Sequence, residues 1–224
     1  MKNILFVAVH PDDETLGCGG AILKHKDNGD NIYWMIITAP TLNHPYGFNQ
    51  DFIKKRNDLV KQIAGEYTFD KVIQLNQPTQ LLHAVDLREL IIDIDEAIND
   101  VQSNVIYMMF NNDVHSDHRI AFNAVYSCTK NFRRPYIEKI YMYEALSETE
   151  FAPALQSSSF IPNVYIDVTD YFEKKIEIMK LYDTEIMAEP LPRSISSIRA
   201  LGRYRGSRIG VEYAEAFMLL FEKS

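Results

Sequence analysis

Two short segments of this 224-residue chain combine histidine with carboxylate side chains, and both could take part in metal chemistry. The first is His10-Pro11-Asp12-Asp13, which follows an apolar run over residues 4–9. Imidazole and carboxylate groups are common zinc ligands, and a catalytic zinc site leaves one position for water. Two adjacent aspartates in a turn point in different directions, so one could bind metal while the other faces that water. Taken alone, the segment fits equally well a second interpretation, in which both aspartates stabilise the start of the following helix.

A second segment far downstream, His115-Ser116-Asp117-His118, holds two more histidines and another aspartate. Residues three apart on the first turn of a helix lie on the same face, so His115 and His118 would point to one side. The alternative interpretation places both histidines on the surface near a helix start, with Asp117 solvated. A shared functional site requires that this segment lie close to the first one in the fold.

The arrangement of apolar runs predicts how the two segments are positioned. Strands are expected over residues 4–9, 32–38, 71–75, 104–110 and 138–143, and helices over residues 12–28, 51–65, 87–101 and 115–131. This alternation predicts a Rossmann-like, three-layer α/β fold with a mainly parallel sheet. Right-handed crossovers give the strand order 3-2-1-4-5. The first and fourth strands are then neighbours, and both segments lie in one crevice beyond their C-terminal ends, which favours a functional site.

The last third of the chain shows a less regular pattern. A strand is expected over residues 162–169, a helix over residues 170–182 and a final helix over residues 211–221. Because repeats, linkers and low-complexity stretches are lacking, we expect residues 1–224 to form one domain.

The composition restricts the possible partners. The formal net charge is −8, from 31 acidic and 23 basic residues, and no broad basic face is evident. We therefore expect a small-molecule partner and no nucleic acid.

The two cysteines, Cys18 and Cys128, lack the spacing of a disulfide framework or a zinc finger, which suits a reducing cytosol. The N-terminal apolar run is too short for a signal peptide, and no run approaches the ~18 apolar residues of a membrane span, so we expect a cytoplasmic protein without a transmembrane segment.

The two segments also resemble the motifs of a known family. Residues 8–14 (Ala-Val-His-Pro-Asp-Asp-Glu) together with residues 115–119 (His-Ser-Asp-His-Arg) are similar to the PIG-L/LmbE-like de-N-acetylases in order and spacing. That family includes enzymes that deacetylate N-acetylglucosaminyl-phosphatidylinositol and the glucosamine intermediates of mycothiol and bacillithiol. Residues 205–217 resemble the family's C-terminal signature, although an amphipathic helix would explain their pattern as well. The resemblance covers most of the chain and implies an LmbE-like fold.

The resemblance implies a role for each chemical group of the two motifs. The implied zinc ligands are His10, Asp13 and His118. Asp12 is implied to be the general base. His115 is implied to polarise the amide carbonyl and to stabilise its oxyanion, with the imidazolium as one form of the donor and Asp117 as its orienting group. A set of two histidines and one aspartate would also accept Fe²⁺, Co²⁺ or Mn²⁺.

Residues outside the motifs carry weaker implications. Arg56 resembles a family arginine that contacts sugar hydroxyls, although a solvated helix face would explain it equally well. Many members have a Leu-Pro-Asp-Gly-like loop after the third strand, whose aspartate helps to hold the sugar; residues 75–80 here read Leu-Asn-Gln-Pro-Thr-Gln, so the exact glycan stays open. Arg203, Arg205 and Arg208 could meet a phosphate or a carboxylate, but surface positions are favoured for them. Structural or surface positions are expected for His25, His44 and His83, and the long loop that holds His44 could reach the crevice.

Two hypotheses of different classes follow. The first is a metal-dependent hydrolase that removes the N-acetyl group from an N-acetylglucosamine-type amino sugar or its conjugate by means of a metal-activated water. The second is a non-catalytic sugar-binding or scaffold protein, which would be expected to have lost a ligand or the base. A nucleotide-dependent Rossmann enzyme is disfavoured, because carboxylates stand where a phosphate-binding glycine loop would begin. The resemblance also implies a homo-oligomer as one possible state.

Overall fold

A computed structural model describes residues 1–223 and contains one seven-stranded sheet. The strands are β1 (Asn3–Ala8), β2 (Asn31–Ala39), β3 (Lys71–Pro78), β4 (Val105–Met109), β5 (Lys139–Tyr143), β6 (Val164–Asp167) and β7 (Ala214–Glu222). The helices are α1 (Asp13–Asp27), α2 (Gln50–Tyr67), α3 (Leu87–Val101), α4 (Ser116–Ser127), α5 (Phe172–Met179) and α6 (Ile195–Ser207). Helix α1 packs on α2 and α5, and α3 packs on α4, which completes a three-layer α/β fold. Within residues 1–223, no helix combines the length and apolar character that a bilayer span requires.

The sheet has the order β3-β2-β1-β4-β5-β7-β6. Strands β1 to β5 pair in parallel, which confirms the predicted fold class and the order 3-2-1-4-5. Strand β1 pairs with β2 on one side and with β4 on the other, and Ile4 to Ala8 are completely buried. Its continuous apolar run suits a strand that is covered on both faces. The loops that follow β1 and β4 therefore emerge side by side at one edge of the sheet.

The prediction of a final helix over residues 211–221 is wrong, because this stretch forms β7. The strand pairs antiparallel with β5 and with β6. The spacing of Val211, Ala214 and Phe217 fits a helix, but residues 216–221 form a continuous apolar run. Such a run also suits a strand inside a sheet, and pairing on both sides overrides the helical period.

Helix α6 lies in a region for which the sequence predicts no element. The surface position expected for Arg205 on this helix is wrong. Arg205 on α6 donates from Nε and Nη2 to the two carboxylate oxygens of Glu144, at 2.7 Å each. Both side chains are largely buried, so Arg205 is a structural residue that ties α6 to the end of β5. The other predicted elements are present with end points shifted by a few residues.

The first turns of α1 are held close to the sheet by glycine. A Cβ atom at Gly20 would lie 2.6 Å from the Cβ of Val168, and one at Gly17 would overlap the ring of Tyr143. No side chain can be accommodated at these positions without displacing its neighbours. The glycines therefore allow α1, which begins at Asp13 in the first histidine and aspartate segment, to approach β5 closely.

A buried ion pair connects α1 to the end of the chain. Lys175 on α5 and Glu215 on β7 are 2.6 Å apart, and each side chain is 4% exposed. The Glu215 carboxylate also accepts hydrogen bonds from the backbone N–H groups of Gly20 and Ala21, at 2.8 Å each. The Lys175 ammonium donates to the carbonyl of Leu16 at 2.8 Å. Because every charge has partners, the pair stabilises the junction of α1, α5 and β7.

Removing one member of this pair should destabilise the fold strongly. Glu215→Ala leaves the Lys175 ammonium buried without its counter-ion, so we expect the free energy of unfolding to fall by about 3–5 kcal/mol. Urea denaturation followed by circular dichroism measures this change. Glu212→Ala, which removes an exposed carboxylate paired with Arg203, is the matched control and should cost no more than about 1 kcal/mol. Equal effects of the two variants would contradict the proposed anchoring.

Candidate metal centre and active site

The loops after β1 and β4 bring three imidazole rings together. The ring centroids of His10 and His115 are 4.7 Å apart, and that of His118 lies 5.5 Å from His10 and 5.4 Å from His115. Two groups of three side chains could each hold a metal ion, because the donor atoms within each group lie within 4.8 Å of one another. The first group is His10, Asp13 and His118, and the second is His10, His115 and Asp117. The side chains predicted as ligands, base and oxyanion donor thus share one crevice.

The first of these sets fits a divalent cation better. The Nε2 atoms of His10 and His118 are buried and have no hydrogen-bond partner within residues 1–223. The His118 Nε2 lies 3.4 Å from Oδ2 of Asp13. Buried nitrogen atoms without partners are costly, and a cation bound by two imidazoles and one carboxylate would satisfy them.

A carboxylate behind His118 fixes the orientation of its ring. The Oδ2 atom of Asp113 lies 2.8 Å from Nδ1 of His118, and its Oδ1 atom accepts a hydrogen bond from the hydroxyl of Thr149 at 2.6 Å. With the proton on Nδ1, the lone pair of Nε2 faces the crevice. A carboxylate that accepts the second N–H of a ligating histidine is a common support of metal sites. Asp113 stands in the same loop as the predicted ligands, but no role follows for it from sequence alone.

The pKa values of Asp13 and His118 are shifted in opposite directions. Burial opposes ionisation of Asp13, but His118 and His10 outweigh it and hold the pKa of the Asp13 carboxyl below its usual range. Burial alone would lower the pKa of His118, but the carboxylates of Asp13 and Asp113 raise it well above its usual range. Protonated His118 must therefore lose a proton before it can bind a cation, so binding weakens as the pH falls.

Neutralising Asp113 should weaken metal binding without removing a ligand. For Asp113→Asn we expect a loss of about 10–100-fold in metal affinity, because His118, a predicted ligand, loses its anionic partner. Titration against a competing chromophoric chelator measures the affinity. Asp58→Asn removes an exposed carboxylate of α2 and serves as the control. An unchanged affinity in Asp113→Asn would show that the contact does not support the ligand.

Asp12 lies at the start of α1 in a strained backbone conformation. Its φ angle is 149°, a value that residues other than glycine rarely adopt, and its side chain is buried. One carboxylate oxygen, Oδ2, accepts a hydrogen bond from Nη1 of Arg193 at 3.0 Å. Burial, followed by the carboxylates of Asp13 and Glu185, raises the pKa of Asp12 well above its usual range. Strain at a buried carboxylate within a cluster of potential ligands is typical of a functional residue.

His115 is neutral in this arrangement. Burial, together with the neighbouring His10 and His118, lowers the pKa of His115 to about 4. Its Nδ1 atom accepts a hydrogen bond from the backbone N–H of Asp117 at 3.1 Å, so the ring proton resides on Nε2. The neutral ring, rather than the imidazolium, is therefore the available donor.

The carboxylate of Asp117 does not make the contact that orients His115. It accepts hydrogen bonds from the backbone N–H groups of Gln80 and Leu82, at 2.6 and 3.1 Å, and its Oδ2 lies 3.5 Å from Nε2 of His10. The expected orienting contact comes instead from the Asp117 backbone. Its side chain fixes the loop after β3 against the start of α4.

Arg56 lines the crevice, and its guanidinium is engaged by the protein. Nη2 donates to the carbonyl of Pro11 at 2.8 Å, and Nη1 donates to Glu185 at 3.1 Å. Arg193 donates to the same glutamate at 3.2 Å. Neither Arg193 nor Glu185 stands in a recognisable motif, so the sequence alone carries no signal for either of these two residues of the crevice.

The crevice is a cavity of about 360 Å³. Its lining residues are His10, Pro11, Asp12, Asp13, Leu16, Thr38, Ala39, Pro40, Phe48, Phe52, Arg56, Thr79, Gln80, His115, Leu146, Ser147, Glu148, Glu185 and Arg193. Buried His44 contacts one of these residues, since its Nε2 lies 2.9 Å from the carbonyl oxygen of Thr79. Residues 75–80, which differ from the Leu-Pro-Asp-Gly-like loop of the family, thus contribute Thr79 and Gln80 to the cavity wall. The size suits a small-molecule substrate.

The family model described as PIG-L, GlcNAc-PI de-N-acetylase, matches residues 5–129 of the 224. The matched region covers more than half of the chain and includes both segments that build the crevice. The chain belongs to the PIG-L family. The membership predicted from the two motifs is therefore confirmed.

Similar proteins extend the comparison over nearly the whole chain. Diacetylchitobiose deacetylase from Thermococcus kodakarensis is 21% identical over 221 residues, which cover 96% of this chain and 82% of that protein. The structure of N,N'-diacetylchitobiose deacetylase from Pyrococcus horikoshii aligns with a TM-score of 0.76 at 20% identity, covering 98% of this chain and 84% of that one. The 4-carboxy-2-hydroxymuconate hydratase GalB from Pseudomonas putida aligns with a TM-score of 0.74 at 15% identity, covering 100% and 98%. These likenesses show the fold alone, and because a hydratase shares it, the reaction must be argued from the site.

Proposed function

We propose that this PIG-L family member is a metal-dependent hydrolase that removes the N-acetyl group from an N-acetylglucosamine-type sugar or its conjugate. The observation that carries the proposal is the crevice itself. It joins the buried, unpartnered Nε2 atoms of His10 and His118, the carboxylate of Asp13 and the strained, buried Asp12. The family description and the diacetylchitobiose deacetylase relative support an N-acetylated amino sugar as the substrate.

The three ligands would be His10, Asp13 and His118. A divalent cation held there would lower the pKa of water to about 7 and polarise the amide carbonyl. We favour Zn²⁺, and Fe²⁺, Co²⁺ or Mn²⁺ would suit the same donor atoms.

Asp12 would carry the proton. Its carboxylate accepts a proton from the water that attacks the amide carbon, and it later donates that proton to the nitrogen of the departing sugar amine. The C–N bond breaks, and acetate and the free amine are released. Arg193 holds the Asp12 carboxylate at 3.0 Å, which fixes the direction of the acceptor atom. General-base catalysis of this kind contributes about 10²–10⁴-fold.

His115 would stabilise the negative charge that develops on the amide oxygen. Because its Nδ1 accepts the backbone N–H of Asp117, its Nε2–H is free to donate toward the cavity. A donor aimed at an oxyanion is typically worth about 2.7–4 kcal/mol. A neutral imidazole performs this role over the whole neutral pH range, since the pKa of His115 is lowered to about 4.

Acetate release tests the proposal. Zn²⁺-loaded protein is incubated with N-acetylglucosamine, its methyl glycoside, N,N'-diacetylchitobiose and an N-acetylglucosamine-containing glycolipid, and acetate is measured by an enzyme-coupled assay. Acetate release that a chelator abolishes and Zn²⁺ restores is the expected result. Tight sugar binding without acetate release in any metal form would instead support a non-catalytic sugar-binding protein.

A further inference from the structure

Glu185, in the segment between α5 and α6, lies between two arginines of the cavity wall. Its Oε1 accepts a hydrogen bond from Nη1 of Arg56 at 3.1 Å, and its Oε2 accepts one from Nη1 of Arg193 at 3.2 Å. The three side chains are 23%, 14% and 18% exposed, respectively. Salt screens such partly buried pairs much less than pairs on the surface, so Glu185 offsets one of the two positive charges, and the Asp12 carboxylate lies beside Arg193 as a second acceptor.

The two arginines are the only fully charged cations on the wall, among residues 1–223. Four carboxylates line the same cavity: Asp12, Asp13, Glu148 and Glu185. Arg56 also donates to the carbonyl of Pro11, and Arg193 also donates to Asp12. An anionic group that enters the cavity would find both guanidiniums already paired and would meet additional carboxylates.

The cavity also has an aromatic surface, which can bind an uncharged part of a substrate. The rings of Phe48 and Phe52 are stacked, with centroids 4.9 Å apart and planes 7° apart, and both line the cavity. Phe52 is 40% exposed. Such a surface suits the C–H face of an uncharged sugar ring, whose burial removes apolar area from water.

We infer that the cavity selects uncharged N-acetylglucosamine glycosides over phosphorylated ones, and that Glu185 sets this preference by occupying donor groups of both Arg56 and Arg193. The inference rests on the proposed deacetylase function and specifies its substrate class. Arginine is well suited to bind phosphate through paired N–H groups, and here a carboxylate of the protein occupies that role. Removing the charge of Glu185 would weaken its hold on one donor position of each guanidinium, while the contacts of Arg56 with Pro11 and of Arg193 with Asp12 remain.

The kinetic test compares methyl N-acetyl-β-glucosaminide with N-acetylglucosamine 6-phosphate. We expect kcat/KM of the Zn²⁺-loaded wild type to favour the neutral sugar by about tenfold or more, because an anion is placed beside carboxylates. Glu185→Gln should reduce this ratio by about tenfold, mainly through a lower KM for the phosphorylated sugar. Glu185→Asp keeps the charge and should keep the preference. Glu177→Gln removes an exposed carboxylate on α5, 68% exposed, and should leave the ratio unchanged.

An equilibrium test separates this inference from the proposed function. Calorimetry measures the affinity of both sugars for His115→Gln and for the double variant His115→Gln with Glu185→Gln, because replacing the neutral His115 slows turnover and leaves the charge of the cavity wall unchanged. The same preference and the same change are expected in the dissociation constants. If neither sugar is hydrolysed by the wild type but the neutral one binds selectively, the proposed function fails and the charge preference stands. Equal binding of both sugars, binding of neither, or a ratio that Glu185→Gln leaves within about twofold overturns the inference.

Discussion

Replacing Asp12 with asparagine is expected to lower kcat for acetate release by about 10²–10⁴-fold while leaving the metal content unchanged. Asparagine keeps the shape of the side chain and can still accept the hydrogen bond from Arg193, but it cannot take a proton from water. The measurements are steady-state acetate release and metal analysis of the purified variant. The two readouts together separate a lost base from a lost ligand.

The matched control for this experiment lies on the same helix. Asp27 at the other end of α1 is exposed and accepts a hydrogen bond from the hydroxyl of Tyr171 at 2.7 Å. Asp27→Asn should retain wild-type kcat. If Asp12→Asn keeps more than about a tenth of the wild-type kcat, Asp12 is not the general base and the proton must be carried by another group.

Replacing His118 with alanine is expected to abolish stoichiometric metal binding and acetate release together. The variant loses one of the three proposed ligands, and it also leaves the buried carboxylate of Asp113 without its histidine partner and that of Asp13 with His10 alone. We therefore expect the metal-free variant to be less stable than the metal-free wild type by about 3–5 kcal/mol. Metal analysis after dialysis, acetate release and urea denaturation measure the three effects.

Two further variants keep this prediction interpretable if His118→Ala folds poorly. His10→Ala removes a ligand whose side chain is 18% exposed, so it should lose metal with a smaller cost in stability. His83→Ala removes an exposed histidine that follows β3 and should bind one equivalent of metal as the wild type does. A wild-type metal content in both ligand variants would exclude this donor set.

Much of the site was predictable because its chemistry is concentrated in two short segments. The apolar run of β1 predicts a strand buried on both faces, and the alternation of strands and helices places the loops after β1 and β4 together. Neither step requires knowledge of any side-chain contact. The first segment was ambiguous by itself, and the neighbouring strand order removed the ambiguity in favour of a shared crevice.

The unpredicted parts depend on contacts between residues far apart in sequence. Arg193 and Glu185 come from an irregular segment without periodicity, and their roles follow only from their distances to Asp12 and Arg56. Likewise, nothing local in Asp117 indicates that its carboxylate binds the loop after β3. Strand β7 shows the same limit, because a helical spacing of apolar residues cannot reveal that two strands with open edges are available on either side.

The position of β7 has a consequence for how the protein is made. Residues 214–222 insert between β5 and β6, and Glu215 within them binds the backbone of α1, the helix that carries Asp13. A nascent chain emerging from the ribosome presents the parallel strands β1 to β5 first, since synthesis proceeds from the N-terminal side. Helix α1 nevertheless lacks the hydrogen bonds from Gly20 and Ala21 to the Glu215 carboxylate until β7 has emerged. Synthesis therefore makes the loops after β1 and β4 available first, and it adds the Glu215 support of helix α1 only with β7.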